Sequence, residues 1–414
     1  MKCPIEITPA HLCYDRSRST TDWDCPRKRY WQYEADGTGY VPEDEAVELF
    51  TGTTVHTALS RIALVELGKW HTSKSISPMF HPINTIAAEA ADSMYAFHLP
   101  ENALESQIVY AKEQAALIYG MIKGFYQHTW PQLMAKYEIV SVEEEMFFIH
   151  DQHGKGDLKA FFVMMVKPDL VLRDKETKEL VYLEYKTTSS KDENWIAQWN
   201  DAVQVHSTIN AIEQSLGERP TCCIVQGLFK GYVSYGKQSS PFCYAYSMSG
   251  APPFYKPVLS YEYRNGLRRV PTWELEGGTK QWVENMPANV LADQYPQTPP
   301  IFPNDELITD FFMQRAMREL EIKMAGEMIE MGVDLKVTLN GAFPQRFDKC
   351  KPAFGSRNSS GQVKPCQNRI MCHGGCTDPL KAGFTRREPH HQLEVDQNEA
   401  KEVQAENDAL DATR

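Results

Sequence analysis

Lys167-Pro168-Asp169-Leu170-Val171-Leu172 and, after a charged turn over 173–178, Leu180-Val181-Tyr182-Leu183-Glu184-Tyr185-Lys186-Thr187 decide how this chain is read. Both stretches are short, rich in β-branched and aromatic residues and bounded by turn residues, so they are expected to be neighbouring strands. Side chains two apart on a strand share a face, which turns Glu184 and Lys186 together and Tyr185 away. A hairpin can bring Asp169 beside them. Two carboxylates plus a main-chain carbonyl suit Mg2+ or Mn2+, and an adjacent ammonium can orient or deprotonate a metal-bound water. That is chemistry suited to cleaving phosphodiesters. The same residues are also ordinary on a solvated sheet face, where an Asp at a strand start and an alternating Glu-x-Lys carry no function.

Working outward, further strand-like runs occupy 138–149, 160–166, 221–230 and 242–247, with Gly-containing turns such as His153-Gly154-Lys155-Gly156 between them. Apolar residues recur at helical spacing in Val55, Leu59, Ile62 and again from Leu104 through Ile108, Ala111, Ala115, Ile118 and Ile122 to Phe125, which gives core-facing stripes of two helices. A helix is expected over roughly 194–216 and another over about 305–331, separated in part by a Pro-rich stretch at 251–303. No internal repeat is visible.

The 414 residues carry 43 Lys+Arg against 55 Asp+Glu, a net charge of −12 that argues against a generally basic nucleic-acid coat or a polybasic membrane binder. Residues 388–414 hold eight acidic and two basic residues, hence −6, and read as a disordered acidic tail; the body over 1–387 is left with −6 and room for a local basic groove. The apolar run Ala160 to Val166 lies between Lys159 and Lys167 and is far too short to cross a bilayer, and Met1–Ala10 does not read as a signal peptide. Ten cysteines without a secretory signal favour a reducing compartment, so a cytoplasmic location is expected and clustered cysteines point to a metal or redox centre.

The Asp…Glu-x-Lys pattern resembles the PD-(D/E)XK nuclease superfamily, and an ordered set of further landmarks resembles its RecB-like iron–sulfur branch, which includes phage exonucleases and the CRISPR adaptation exonucleases. Gly52-Thr53-Thr54-Val55-His56 is similar to the Gly-x-x-x-His of that branch, whose His is a metal ligand; read alone, His56 is equally a core histidine. Gln204 matches the Gln of a Gln-x-x-x-Tyr signature, but Thr208 stands where the Tyr belongs, and a surface helical Gln is the plain alternative. Cys25-Pro26-Arg27-Lys28-Arg29-Tyr30-Trp31 resembles the start of the branch, and Cys350, Cys366 and Cys372, separated by fifteen and five residues, resemble its terminal three-cysteine pattern.

The resemblance implies an α/β fold, a restriction-endonuclease-like mixed sheet (core sheet about 138–250) flanked by helices, with N-terminal helical and C-terminal Cys-rich elements joined by a metal cluster. It implies that His56, Asp169, Glu184 and the Tyr185 carbonyl hold Mg2+ or Mn2+, that Lys186 positions the attacking water, and that Gln204 contacts substrate or the metal shell. It also implies that Cys25, Cys350, Cys366 and Cys372 bind a [4Fe–4S] cluster, a ligand set that suits four thiolates and closes a loop of more than 300 residues. The expected activity is metal-dependent DNA hydrolysis, exonucleolytic on single strands or ends, with any helicase or recombination partner on a separate chain and no membrane association.

Other readings stay open at this level. Cys350, Cys366, Cys372 and Cys376, with His373, could form a local zinc site, leaving Cys25 as a buried small hydrophobe and the protein as a zinc-stabilised scaffold. A non-catalytic nucleic-acid-binding or assembly protein could keep the nuclease fold, which the residue at Thr208 favours. Arg27, Lys28 and Arg29 with Tyr30, Trp31 and Tyr33 either meet phosphates and bases or pack beside the cluster. Cys222, Cys223 and Cys243 are expected in the core.

Overall fold

In β6 (Leu170–Asp174) and β7 (Leu180–Thr188) nearly every residue is buried, because apolar side chains occupy both faces and the sheet must be covered on each side. The computed structural model of the protein describes residues 11–43, 47–69, 82–98, 104–151, 161–188, 193–229, 295–350, 366–373, 378–389 and 395. Residues β3 (Tyr137–Val142) and β8 (Cys222–Phe229) complete a four-stranded mixed sheet in the order β3-β6-β7-β8. The β6–β7 hairpin is antiparallel with Leu170 opposite Leu183, whereas β7 and β8 are parallel. The parallel step is made by the crossover helices α7 (Glu193–Ala197) and α8 (Val203–Leu216). Asp174 closes the hairpin by accepting from the backbone N–H of Glu176 and Thr177 at 2.9 and 3.1 Å, an Asx turn that lets Lys178 take a left-handed φ of 64°.

The strands expected between 138 and 187 are divided between two sheets. After β3 the chain turns at Glu143 and forms β4 (Met146–Asp151) and β5 (Phe161–Val166), which pair with an N-terminal strand β1 (Leu12–Asp15) in the order β1-β5-β4. The strand β1 was not apparent from pattern, being four residues long and stabilised by a parallel pairing with β5 some 150 positions away. The helix expected over 194–216 is broken at Gln198–Ala202, where the Asn200 carbonyl turns aside to the ring of buried His206 at 2.8 Å. The expected strand at 242–247, most of the Pro-rich stretch, the Gly154 turn, Cys243, Cys376 and nearly all of the acidic tail lie outside the described residues.

Helices α3 (Val47–Glu66), α4 (Pro82–Phe97) and α5 (Glu105–Gly124) cover one face of the four-stranded sheet, with Val55, Leu59, Ile118 and Ile122 packed on Leu183 and Tyr185. The other face, carrying Leu180 and Tyr182, packs on α8 and on α9 (Asp305–Glu330). Asn304 caps α9 by accepting from the Leu307 N–H at 3.0 Å. Among the described residues no helix is long and apolar enough to cross a membrane.

The two chain ends meet. Strand β2 (Tyr40–Pro42) pairs antiparallel with β9 (Phe384–Arg386), and Tyr30, Phe343, Met371 and Phe384 share a small core. Helix α1 (Arg16–Asp24) and α2 (Pro26–Arg29) are tied to α9 by buried ion pairs. Asp22 accepts from Arg315 at 2.8 Å and Arg318 at 3.0 Å, and Arg29 pairs with Glu34 at 2.7 Å and Glu319 at 3.0 Å. Arg27 donates to the Phe343 carbonyl at 2.8 Å and to Asn340 at 3.0 Å. Arg27 and Arg29 are therefore committed inside the protein, and of the basic run only Lys28, beside Asp24 at 3.5 Å, keeps substantial exposure.

Removing one partner of such a pair leaves an uncompensated charge in a place water cannot reach. Glu319→Ala is therefore expected to lower the unfolding free energy by about 3–5 kcal/mol, read from the urea midpoint. Asp24→Ala, at the exposed pair with Lys28, should cost less than about 1 kcal/mol.

Candidate active site

The pairing of Leu170 with Leu183 places Asp169, the residue before β6, level with Glu184 of β7. Asp169 is buried, and its two carboxylate oxygens point in different directions: Oδ1 lies 2.9 Å from His56 Nδ1, and Oδ2 accepts the Tyr185 backbone N–H at 2.6 Å. His56 arrives from α3, the helix laid over β7, and its ring stands edge-on to Tyr185. Gly52, one helical turn earlier, faces the end of β7; a methyl group there would still lie 3.8 Å from Thr187 Oγ1, so close packing does not dictate the glycine.

Glu184 is a buried carboxylate surrounded by donors. Oε2 accepts from the Tyr182 hydroxyl, Oε1 accepts from the Lys186 ammonium and the Gln204 amide, and Arg16 Nη1 approaches Oε1 at 3.5 Å. Tyr182, Glu184 and Lys186 sit at i, i+2 and i+4 of one strand, which is why they share a face. Gln204 comes from the first turn of α8, and the Lys186 ammonium rests 5.8 Å from the centre of the Trp199 ring. Thr208, where the resemblance expects a Tyr, is buried in α8.

The electrostatics follow from this packing. Burial acts to protonate Glu184, but the charges of Lys186 and Arg16 outweigh it and hold the carboxyl below its ordinary range. Burial likewise opposes a proton on His56; the Asp169 carboxylate and its hydrogen bond prevail, so the imidazole pKa is raised. Burial, reinforced by nearby carboxylates, keeps the phenols of Tyr182 and Tyr185 protonated.

A chain of contacts not apparent in the sequence supports this centre. Ser60, one turn after His56, donates to the His56 carbonyl at 2.9 Å and to the Glu143 carboxylate. Glu143 also pairs with Lys167 at 2.9 Å, and its N–H donates to the Asp169 carbonyl at 3.1 Å. Its φ of 45° is unusual for a residue with a side chain and falls where β3 leaves the sheet. Tyr182 could have been found from its spacing to Glu184. Arg16 could not, because 168 positions separate it from its partner.

A second constellation joins the chain ends. Cys25, at the start of α2, and Cys350, at the end of α11 (Phe347–Cys350), are buried; Cys372 ends α12 (Arg369–Cys372). The Cys366 N–H donates to the Cys350 carbonyl at 3.1 Å. Burial pushes the thiols of Cys350, Cys366 and Cys372 up, the last to about 11, and the charge of Cys25 acts on each in the same sense. Lys28 acts on Cys366 and Arg27 on Cys372 in the opposite sense. Cys222 and Cys223 lie in β8 and are buried.

As they stand, no three His, Cys, Asp or Glu side chains among the described residues form a ready metal-binding group. By donor type, an imidazole and two carboxylates, one kept ionised, suit a hard divalent cation, and thiols are the donors that a thiolate-bound cluster takes.

A mixed α/β chain that gathers a histidine, two acids and a lysine around a strand hairpin has a fold that fits a PD-(D/E)XK nuclease. Residues 17–220 match the family model described as the PD-(D/E)XK nuclease superfamily. That interval contains Cys25, His56, Asp169, Glu184, Lys186 and Gln204 and ends before the other three cysteines. No curated protein matches the chain.

The pH dependence of stability follows from the two shifts. A depressed Glu184 contributes stability that is complete above its ordinary pKa of 4.5 and is lost as the pH falls below it. A raised His56 contributes stability that is complete below its ordinary 6.5 and is lost as the pH climbs through its folded value. In urea unfolding followed from about pH 3 to 9, Glu184→Gln should flatten the acid limb and His56→Asn the alkaline one. An acid limb equally steep in the parent and Glu184→Gln would contradict this assignment.

Proposed function

We propose that the protein is a metal-dependent deoxyribonuclease, an exonuclease that hydrolyses phosphodiesters on single strands or DNA ends. The observation that carries this reading is the meeting of His56 with Asp169, and of Lys186 and Gln204 with Glu184, on one hairpin and the helices beside it. Asp169, Glu184, His56 and the Tyr185 carbonyl would hold Mg2+ or Mn2+. The ion would polarise the phosphate and lower the pKa of a water.

The chain's own residues divide the remaining work. Glu184 stays ionised in a buried setting, so it can bind a cation without first losing a proton. Asp169 is fixed by the Tyr185 N–H and in turn orients the His56 ring. Lys186, steadied against Trp199, holds its ammonium where it can orient the attacking water. Gln204 fixes the Glu184 carboxylate, the part that α8 plays in the site. DNA as the substrate and the preference for single strands or ends rest on the family match and on the resemblance of the motifs.

Incubation of the purified protein with end-labelled DNA and Mn2+ tests the reading. Asp169→Ala, Glu184→Ala and Lys186→Ala should each reduce cleavage by about a hundredfold or more while circular dichroism stays unchanged. Cleavage at the parent rate in all three would assign the activity elsewhere.

The proposal extends to a [4Fe–4S] cluster on Cys25, Cys350, Cys366 and Cys372. Anaerobically purified protein should then be brown; Cys25→Ser should bleach it and lower Tm by several degrees, while Cys376→Ser does little. A colourless zinc protein that tolerates Cys25→Ser and loses metal with Cys376→Ser would overturn the cluster.

A further inference from the structure

Arg16 is the first residue of α1, and its side chain is 45% exposed. Among the described residues its one partner is Glu184 Oε1, at 3.5 Å. The hydrogen bonding of Glu184 does not depend on that contact. Oε1 already accepts from Lys186 and Gln204, and Oε2 from Tyr182, so Glu184 is satisfied without it. An ion pair whose cation is half in water contributes little to stability.

The placement is nonetheless fixed by the fold. Parallel pairing of Asp15 with Met165 sets the end of β1 beside the end of β5, so α1 begins next to the segment that leads into Asp169. Asp15 caps α1 by accepting from the Arg18 N–H at 2.9 Å, which directs the first turn of the helix, with Arg16, toward the cleft.

Two cations therefore share Oε1, and they are held differently. Lys186 belongs to the same strand as Glu184 and leans on the Trp199 ring. Arg16 has no ring or backbone group to hold it among the described residues. Were Glu184 to hold a divalent cation, Arg16 would be the donor free to leave. A guanidinium released at that point has a planar fork suited to two phosphate oxygens.

We infer that Arg16 is a substrate-binding residue that clamps a phosphate of the bound strand at the edge of the Glu184–Lys186 site. The inference rests on the nuclease reading and deepens it by naming the group that grips the polyanion in a chain of net charge −12. It assigns part of the binding to the substrate backbone rather than to its bases, so the contact is indifferent to sequence.

The test is the affinity of the whole protein for a fluorescein-labelled single-stranded oligonucleotide, followed by anisotropy over a salt series, with Ca2+ or with EDTA. In Ca2+, Arg16→Ala should bind about tenfold more weakly, with a log–log salt slope shallower by about 0.7, the value for one lost phosphate contact on a single strand. Arg16→Lys should recover the slope and part of the affinity. In EDTA, where Glu184 retains Arg16, the penalty should shrink to about twofold or less. With Mn2+, the loss on cleavage should fall mainly on KM. An Arg16→Ala protein that cleaves and binds like the parent with an unchanged slope overturns the clamp and leaves the nuclease reading standing. A lowered Tm with unchanged slope assigns Arg16 a structural role and also overturns it. A parent that neither binds nor cleaves nucleic acid removes both.

Discussion

The pairing of Leu170 with Leu183 is the constraint on which the rest depends. A one-residue slip of this hairpin would turn Glu184 and Lys186 into the apolar layer under α3 and α5, and Tyr185 out toward α8. Burial on both faces forbids that slip, because Val181, Leu183 and Tyr185 fill one hydrophobic core while Leu180 and Tyr182 fill the other. The Asx turn at Asp174 sets the same register from the other end of the hairpin. The bond from the Tyr185 N–H to Asp169 then adds a polar lock where the strand pairing ends.

Around that hairpin the site is assembled from four directions. α3 brings His56, the turn before α8 brings Trp199 and α8 itself Gln204, and α1 brings Arg16. α3 and α8 are anchored by apolar packing on the sheet and α1 by the Asp22 ion pairs to α9, so the polar residue of each arrives without having to hold the element in place. Three charged or polar donors converge on Oε1 of one buried glutamate, which is costly unless the charge is compensated or the group has work to do. Compensation comes from Lys186 and Arg16.

The two ends of the chain form a separate structural problem. Asp22, Arg29, Arg315, Arg318 and Glu319 make a buried ionic clasp between α1, α2 and α9. The basic run Arg27-Lys28-Arg29 belongs mainly to this clasp. With two guanidiniums used internally, only Lys28 of this strongly basic segment is left to contribute to the surface.

The local pattern determined the hairpin, the alternation that sets Glu184 and Lys186 on one face, and the amphipathic stripes of α3 and α5, because these depend on residues a few positions apart. It also brought His56, Gln204 and the four cysteines into view, through a resemblance in the order of motifs rather than through any local physical signal. Only the tertiary structure decided that the strands split into two sheets, since the departure at Glu143 depends on β1 waiting beside β5. It alone decided that Arg27 and Arg29 face inward, because their partners at Asn340, Phe343 and Glu319 lie about three hundred positions away. The same holds for Arg16: nothing near Asp15 in sequence signals Glu184, and the contact exists because a parallel strand pairing, closed over 150 residues, aims the start of α1 at the cleft.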